Sequence, residues 1–205
     1  MIIKGTAMWA KVFEPDVRFV PEGEYSTQVI VPEAEAAIIC EQLEKLIDIK
    51  FNETVKEKPA LKAALSKRPV VEPQLDDAGD PTGNVIFKTK LKARIKTKKG
   101  IFVDQKVFVY DAKKNLMPST IGVGNGSVIK VAVEPYAYMM QSTKQVGVSL
   151  RLKGVQVIDL VEYGNPASTM FDEEDGYVAE AVAKDDMADS FDDDTVVDDN
   201  DQGDF

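Results

Sequence analysis

Two early stretches, Met1 to Phe13 and Tyr25 to Val31, are dense in Ile, Val, Thr and aromatic residues and are separated by Pro21, Glu22 and Gly23. That pattern predicts two strands joined by a turn. After Pro32 the period changes. Ile39, Leu43, Leu46 and Ile47 recur at helical spacing, with Glu41, Glu44 and Lys45 on the other faces. An amphipathic helix is therefore expected to about Phe51, with Pro32 suited to its first position. A shorter helix is expected from Pro59 to Lys67 on the apolar pair Leu61 and Leu65, followed by a loop rich in Pro, Asp and Gly from Arg68 to Asn84.

From Val85 the pattern is that of strands. Lys88, Lys90, Lys92, Arg94, Lys96 and Lys98 fall on one face of a period-two segment, with Leu91, Ala93 and Ile95 on the other. Ile101 to Tyr110 alternates as well, with Ile101, Val103, Val107 and Val109 opposite Phe102, Asp104, Lys106, Phe108 and Tyr110. A three-residue loop of Lys98, Lys99 and a left-handed Gly100 pairs residue 97 with 101. Ile95 then meets Val103 and Leu91 meets Val107 in the core, while Lys96 meets Phe102, Arg94 meets Asp104 and Lys90 meets Phe108 outside. A two-residue loop would bury lysines against valines, at a high desolvation cost. A second hairpin follows Gly122, Gly124 and Gly126. Its first strand, Ser127 to Met139, turns Ile129, Val131 and Val133 inward; its second, Val146 to Leu160, turns Val148, Leu150 and Leu152 inward and Arg151 and Lys153 outward. Successive strands with one helical insertion and no βαβ alternation predict a mainly β fold, a small antiparallel barrel.

Charge divides the chain in two. The 205 residues carry 35 Asp or Glu and 25 Lys or Arg. From Phe171 onward there are 15 acidic residues and one Lys, a net of −14, which leaves residues 1–170 with 24 basic and 20 acidic residues, a net of +4. The chain has no His, which removes the usual nucleophilic triads, zinc sites and neutral-pH general base. Its single cysteine, Cys40, cannot form an intramolecular disulfide. The start MIIKGTAMWAK lacks the apolar run of a signal peptide, and no window reaches the roughly 20 apolar residues of a membrane helix. A cytoplasmic protein is expected, with no membrane association.

The basic strand has a plain reading as an edge protected by lysines. Its company argues for more. Phe102, Phe108 and Tyr110 share the outer face with Lys88, Lys90, Lys92, Arg94, Lys96 and Lys106, and exposed rings do not aid solubility. Single-stranded nucleic acid needs both kinds of side chain, cations for its phosphates and rings on which bases stack irrespective of sequence. Tyr136 and Tyr138, on the parity of Lys130, and the outward Arg151 and Lys153 extend the candidate interface.

The acidic tail has a plain reading as a disordered solubiliser. Its aromatics are spaced at Phe171, Tyr177, Phe191 and Phe205, and the pair Asp204–Phe205 offers ring and carboxylate together, an anchor for an apolar pocket edged with basic residues. Other motifs carry little. Gly122, Gly124 and Gly126 do not form a dinucleotide fingerprint and lead into a strand. Asp198, Asn200 and Gln202 before Gly203 lack the Glu that a calcium loop requires. No catalytic residue, metal site or cofactor is expected.

The plan of the chain, the stretches GNGSVIKVAVEPYAYM through GVSLRLKGVQVIDL at residues 124–160, and the end DQGDF resemble the single-stranded DNA-binding proteins of tailed bacteriophages. The resemblance implies an OB-fold-like single-stranded DNA-binding domain over 1–170, its helical insertion at about 33–67, and a disordered acidic interaction tail over 171–205. It further implies a non-enzymatic protein that coats single strands in phage DNA replication, recombination and repair in the host cytoplasm, its tail recruiting a polymerase, helicase or recombination enzyme. One departure is visible: the helix of an OB fold ordinarily lies between the third and fourth strands, whereas here it follows the second. The alternative reading is an interaction protein whose acidic surface mimics DNA to sequester a basic partner. The sequence leaves open whether the chain forms a homo-oligomer.

Overall fold

A computed structural model describes residues 1–97 and 99–162. The acidic tail, with Asp204 and Phe205, lies outside the described residues, as does Lys98. In chain order the elements are β1 (Ile2–Asp16), β2 (Glu24–Pro32), helix α1 (Glu33–Glu57), a 3₁₀ turn (Pro59–Leu61), β3 (Ser66–Lys67), β4 (Glu72–Leu75) and β5 (Pro81–Lys92). They continue with β6 (Arg94–Lys96), β7 (Phe102–Asp104), β8 (Phe108–Tyr110), β9 (Val128–Met140) and β10 (Gln145–Asp159).

Five of the strands close a barrel. β1 pairs antiparallel with β2, β2 with β5, β10 with β9, and β9 with β1. β5 and β10 complete the ring through a short parallel pairing, Leu150 beside Thr89 and Arg151 beside Lys90. The order β1-β2-β5-β10-β9 bears out the expected OB-fold-like barrel, and α1 does enter between its second and third strands. Period-two alternation fills the interior with Ile3, Ala7, Val29, Val31, Phe87, Leu91, Ile129, Val131, Leu150 and Leu152, all buried. Ala36 and Leu43 of α1 are buried against strand residues, and Val107, Val109 and Val123 join the same core, while Ile47 is buried in a smaller cluster with Leu65 and Val146. Two buried threonines are satisfied by backbone carbonyls, the Thr89 hydroxyl donating to that of Thr27 at 3.0 Å and the Thr27 hydroxyl to that of Gln28 at 3.3 Å. Where β1 passes closest to β2, a Cβ on Gly5 would lie 2.2 Å from the Ile30 carbonyl oxygen, so no larger residue fits without moving the backbone.

Several expectations are corrected. The helix predicted at Pro59 to Lys67 is a single 3₁₀ turn, after which Ser66 and Lys67 pair with Gln145 and Val146. Pairing to the edge of β10 satisfies that backbone and buries Leu65 beside Ile47 and Val146, an arrangement that outweighs a marginal two-turn helix. α1 runs to Glu57, past the predicted Phe51, with Pro32 as its N-cap and not its first residue. The stretch from Arg68 to Asn84 is more than a loop: β4 folds back on β5 around a turn in which the Asp76 carboxylate accepts the Ala78 and Asp80 N–H groups at 2.9 Å.

The basic strand is corrected in part. Its hairpin forms as predicted, with Arg94, Ile95 and Lys96 opposite Asp104, Val103 and Phe102, and with Gly100 at φ +82°. The strand breaks at Ala93, however, whose N–H bonds to the Gly23 carbonyl at 2.8 Å and whose carbonyl accepts the Gln105 N–H at 2.6 Å. Beyond that point β6 and β7 form a two-stranded finger outside the barrel, so Ile95, Ile101 and Val103 are exposed and not core. Leu91 and Val107 are both buried but are not register partners, and Phe108 lies beside Gly154, not Lys90.

Candidate nucleic-acid interface

The pleat of β5 directs Phe87, Thr89 and Leu91 inward and leaves Lys88, Lys90 and Lys92 exposed, as the alternation predicts. Register then carries this basic line across the barrel. Ser26 on β2, Lys90 on β5, Arg151 on β10 and Glu134 on β9 are successive partners, one outward row over four strands. The next rows pair Ser149 with Tyr136 and Gly147 with Tyr138. A Cβ on Gly147 would meet the Tyr138 hydroxyl oxygen at 3.1 Å and ring carbon Cζ at 3.2 Å, so the glycine lets that side chain lie close against the sheet.

Along the β5–β10 seam runs a trough of about 540 Å³, walled by Arg68, Val70, Ile86, Lys88, Lys90, Tyr136, Tyr138, Met140 and Leu150. It shares Lys90, Tyr136 and Ser149 with a second hollow of about 270 Å³ that takes in Glu24, Lys92, Ile95, Gln105 and Arg151. Further down β10, β8 replaces β5 as its neighbour, with Phe108 beside Gly154 and Tyr110 beside Gln156. Val109 is buried, while Phe108 and Tyr110 remain 50% and 37% exposed on the outside. The change of parity that keeps Val155 and Val157 inward comes from a bulge at Lys153, one extra residue between Leu152 and Gly154. The outer face of β9 and β10 is thus the surface that unites the lysines of β5 with the rings of β8.

Most of the cations already have an acidic neighbour. Lys88 lies 2.5 Å from Glu72, Lys90 3.5 Å from Glu24, and Arg94 2.6 Å from Asp104, while Glu134 takes both Lys153 at 2.7 Å and Arg151 at 3.6 Å. The Lys153 ammonium, and beyond it the Arg151 charge, hold the Glu134 carboxyl below its ordinary range, and Arg94 does the same to Asp104. Among the described residues Lys92, Lys96 and Lys106 make no ion pair. On this surface Arg151 stands 6.0 Å from the centre of the Tyr136 ring, and Lys96 5.5 Å from that of Phe102 on the finger. These are solvent-facing pairs of small individual worth, so another charged ligand can exchange with them at little cost.

The structure therefore gathers Lys88, Lys90, Tyr136 and Tyr138 around the trough, with Lys92 and Arg151 in the hollow that adjoins it. It sets Phe108 and Tyr110 farther along the same face, Lys153 at its bulge, Arg94, Lys96 and Phe102 on the finger, and Lys106 in the link between β7 and β8. Sequence reasoning missed Arg68, which reaches the trough because β3 docks on β10. It also missed Phe19, 88% exposed in the β1–β2 loop, whose Gly23 is bonded to Ala93 at the base of the finger. The acidic partners Glu24, Glu72 and Glu134 went unread too, because strand register alone decides their neighbours. A separate cleft of about 680 Å³ follows the bulged half of β1 past Trp9, Phe13, Val17 and Arg18. Trp9 is held there at φ +52°, its N–H bonded to the Asn125 side-chain oxygen at 2.7 Å.

Cations spaced along a trough, with rings in its wall and floor, can neutralise phosphates and stack bases. The family model described as single-stranded DNA-binding protein of bacteriophage T7 matches residues 6–160. Among curated proteins no relative matches the sequence. The crystal structure of gp2.5, a single-stranded DNA-binding protein encoded by bacteriophage T7, is similar with a TM-score of 0.63 at 24% identity, over 88% of this chain and 99% of that one. A single-stranded DNA-binding protein from bacteriophage Enc34, solved in complex with single-stranded DNA, aligns with a TM-score of 0.48 at 12% identity, over 80% of this chain and 88% of that one.

Proposed function

Because the chain belongs to the bacteriophage T7 single-stranded DNA-binding protein family, whose members bind and do not catalyse, we propose that it coats single-stranded DNA without regard to sequence, along the β5–β10 trough. The observation that carries this reading is the convergence of Lys88, Lys90, Lys92 and Arg151 with Tyr136 and Tyr138 on the trough and the adjoining hollow, which share Lys90, Tyr136 and Ser149. The cations take the phosphates of one strand, and Tyr136 stacks a base once Arg151 swings from its ring to a phosphate. Phe108, Tyr110, Lys153, Lys106 and the finger residues Arg94, Lys96 and Phe102 extend the path. Stacking on a ring accepts any base, so affinity on this surface does not depend on sequence.

In this reading the protein acts in phage DNA replication, recombination and repair in the host cytoplasm. Its acidic tail competes with DNA for the trough at low salt, and Asp204 and Phe205 are read by a polymerase, helicase or recombination enzyme once DNA displaces the tail. A salt titration with single-stranded and duplex oligonucleotides side by side tests the central claim. Binding that favours the single strand and weakens with salt is expected. No affinity for either at low ionic strength would overturn it and favour the DNA-mimic alternative. Deleting Phe205 alone should leave oligonucleotide affinity intact and abolish co-purification with the replication partner; retained partner binding would remove its role as an anchor.

A further inference from the structure

Trp9 stands where the fold has least use for an indole. It falls at the bulge that shifts the β1–β2 register between Met8 and Lys11, its φ is +52°, and its side chain is 58% exposed. Bulky residues rarely enter that backbone region, whereas glycine adopts it freely. The loop Asn125–Ser127 holds the bulge in place. The Asn125 side-chain oxygen accepts the Trp9 N–H at 2.7 Å, the Ala7 carbonyl accepts the Gly126 N–H at 3.0 Å, and the Ser127 carbonyl accepts the Ala7 N–H at 2.8 Å. A strained backbone fixed by neighbouring bonds, carrying a ring that buries little, points to a ring used outside the fold.

Lys11 joins this ring to the trough. It lines the 680 Å³ cleft together with Trp9, and Lys11 and Lys90 are both register partners of Ser26, one from β1 and one from β5. Partners across a ladder face the same way, so the two exposed lysines lie on one outward row, on strands two spacings apart, about 10 Å. Of the other charged groups in the cleft, Asp16 and Arg18 neutralise each other at 2.8 Å, and Lys11 makes no ion pair among the described residues. Glu14, farther along the cleft, repels phosphate and bounds the path there. We infer that a single strand leaving the trough crosses Ser26 onto the bulged half of β1, where Lys11 takes a phosphate and Trp9 stacks a base. This rests on the reading of the trough as the path of a single strand.

Trp9 is the only tryptophan in the chain, so its fluorescence reports this contact without any substitution. When the full chain is titrated with a single-stranded oligonucleotide, Trp emission should be quenched along the same isotherm that the anisotropy of a labelled oligonucleotide gives. Trp9→Gly removes the ring at a φ that glycine tolerates, so the variant should melt no lower than the parent. Its single-strand affinity should fall by roughly fivefold to a hundredfold, with the salt slope unchanged. Trp9→Phe, which keeps a ring, should retain most of the affinity, and Lys11→Ala should flatten the salt slope by roughly 0.7. Strand binding with unchanged Trp emission, or equal affinities for Trp9→Gly and the parent, would overturn the stacking role and leave the trough standing. A parent that produces no anisotropy change at low salt would overturn the trough and its extension together.

Discussion

Lys90 and Arg151 are register partners across the short parallel pairing of β5 with β10 that closes the barrel. Two like charges side by side on one face are unfavourable unless something neutralises them. Glu24 on one flank and Glu134 on the other do so in the free protein. In the proposed complex with a single strand, a line of phosphates would take that place.

Lysines that lack an acidic partner among the described residues should dominate the salt dependence. Replacing Lys92 and Lys96 with Ala should weaken binding to all sequences alike and flatten the slope of log K against log salt by roughly 0.7 for each lost phosphate contact. Replacing Lys88, which is paired with Glu72, should change the slope less. Fluorescence titrations at several salt concentrations measure both; equal slopes for the Lys92, Lys96 variant and the parent would contradict the assignment.

Phe108 separates stacking from charge. Its ring is half exposed beside Gly154, and Phe108→Ala should cost about 1–3 kcal/mol of single-strand affinity for each base it stacks, with the salt slope nearly unchanged, since no counterion is released by stacking. A parallel loss of slope would mean that the ring acts by positioning a cation.

Ending the chain at Met170 changes the formal net charge from −10 to +4. The shortened protein should bind single strands more tightly, most visibly at low salt, and the gain should shrink as the Debye length falls. Unchanged affinity at low ionic strength would show that the tail does not compete.

Asp16 offers a pH prediction outside the trough. Hydrogen bonds from the Arg18 side chain and backbone lower its carboxyl from 3.8 to about 2. A depressed folded-state value means that the pair's contribution is present above the ordinary carboxylate range and is lost as pH falls through about 2. NMR titration of the Asp16 carboxyl should give that low midpoint, and Arg18→Ala should return it toward the ordinary value. A midpoint near 4 in the parent would mean that the pair does not persist in solution.

The sequence by itself determined what the pleat and the turn decide locally. Alternation places Lys88, Lys90 and Lys92 on one face of β5, and the loop ending at Gly100 sets Lys96 opposite Phe102. Glycine's tolerance of positive φ and the period of two are properties of neighbouring residues, readable without knowing the rest of the chain. Tertiary structure decided where those faces go. Ala93 is where the partner changes: its N–H still bonds to Gly23, in line with the β2–β5 register, while its carbonyl takes the Gln105 N–H in line with the β6–β7 hairpin, and so the finger departs from a barrel that the alternation alone would have continued. Arg151 reaches Lys90, Phe108 lies beside Gly154, and Glu134 brackets the trough because closing five strands around one core fixes which edges meet. Edge pairing is set by the burial of the whole interior, a sum over distant residues that no local period contains.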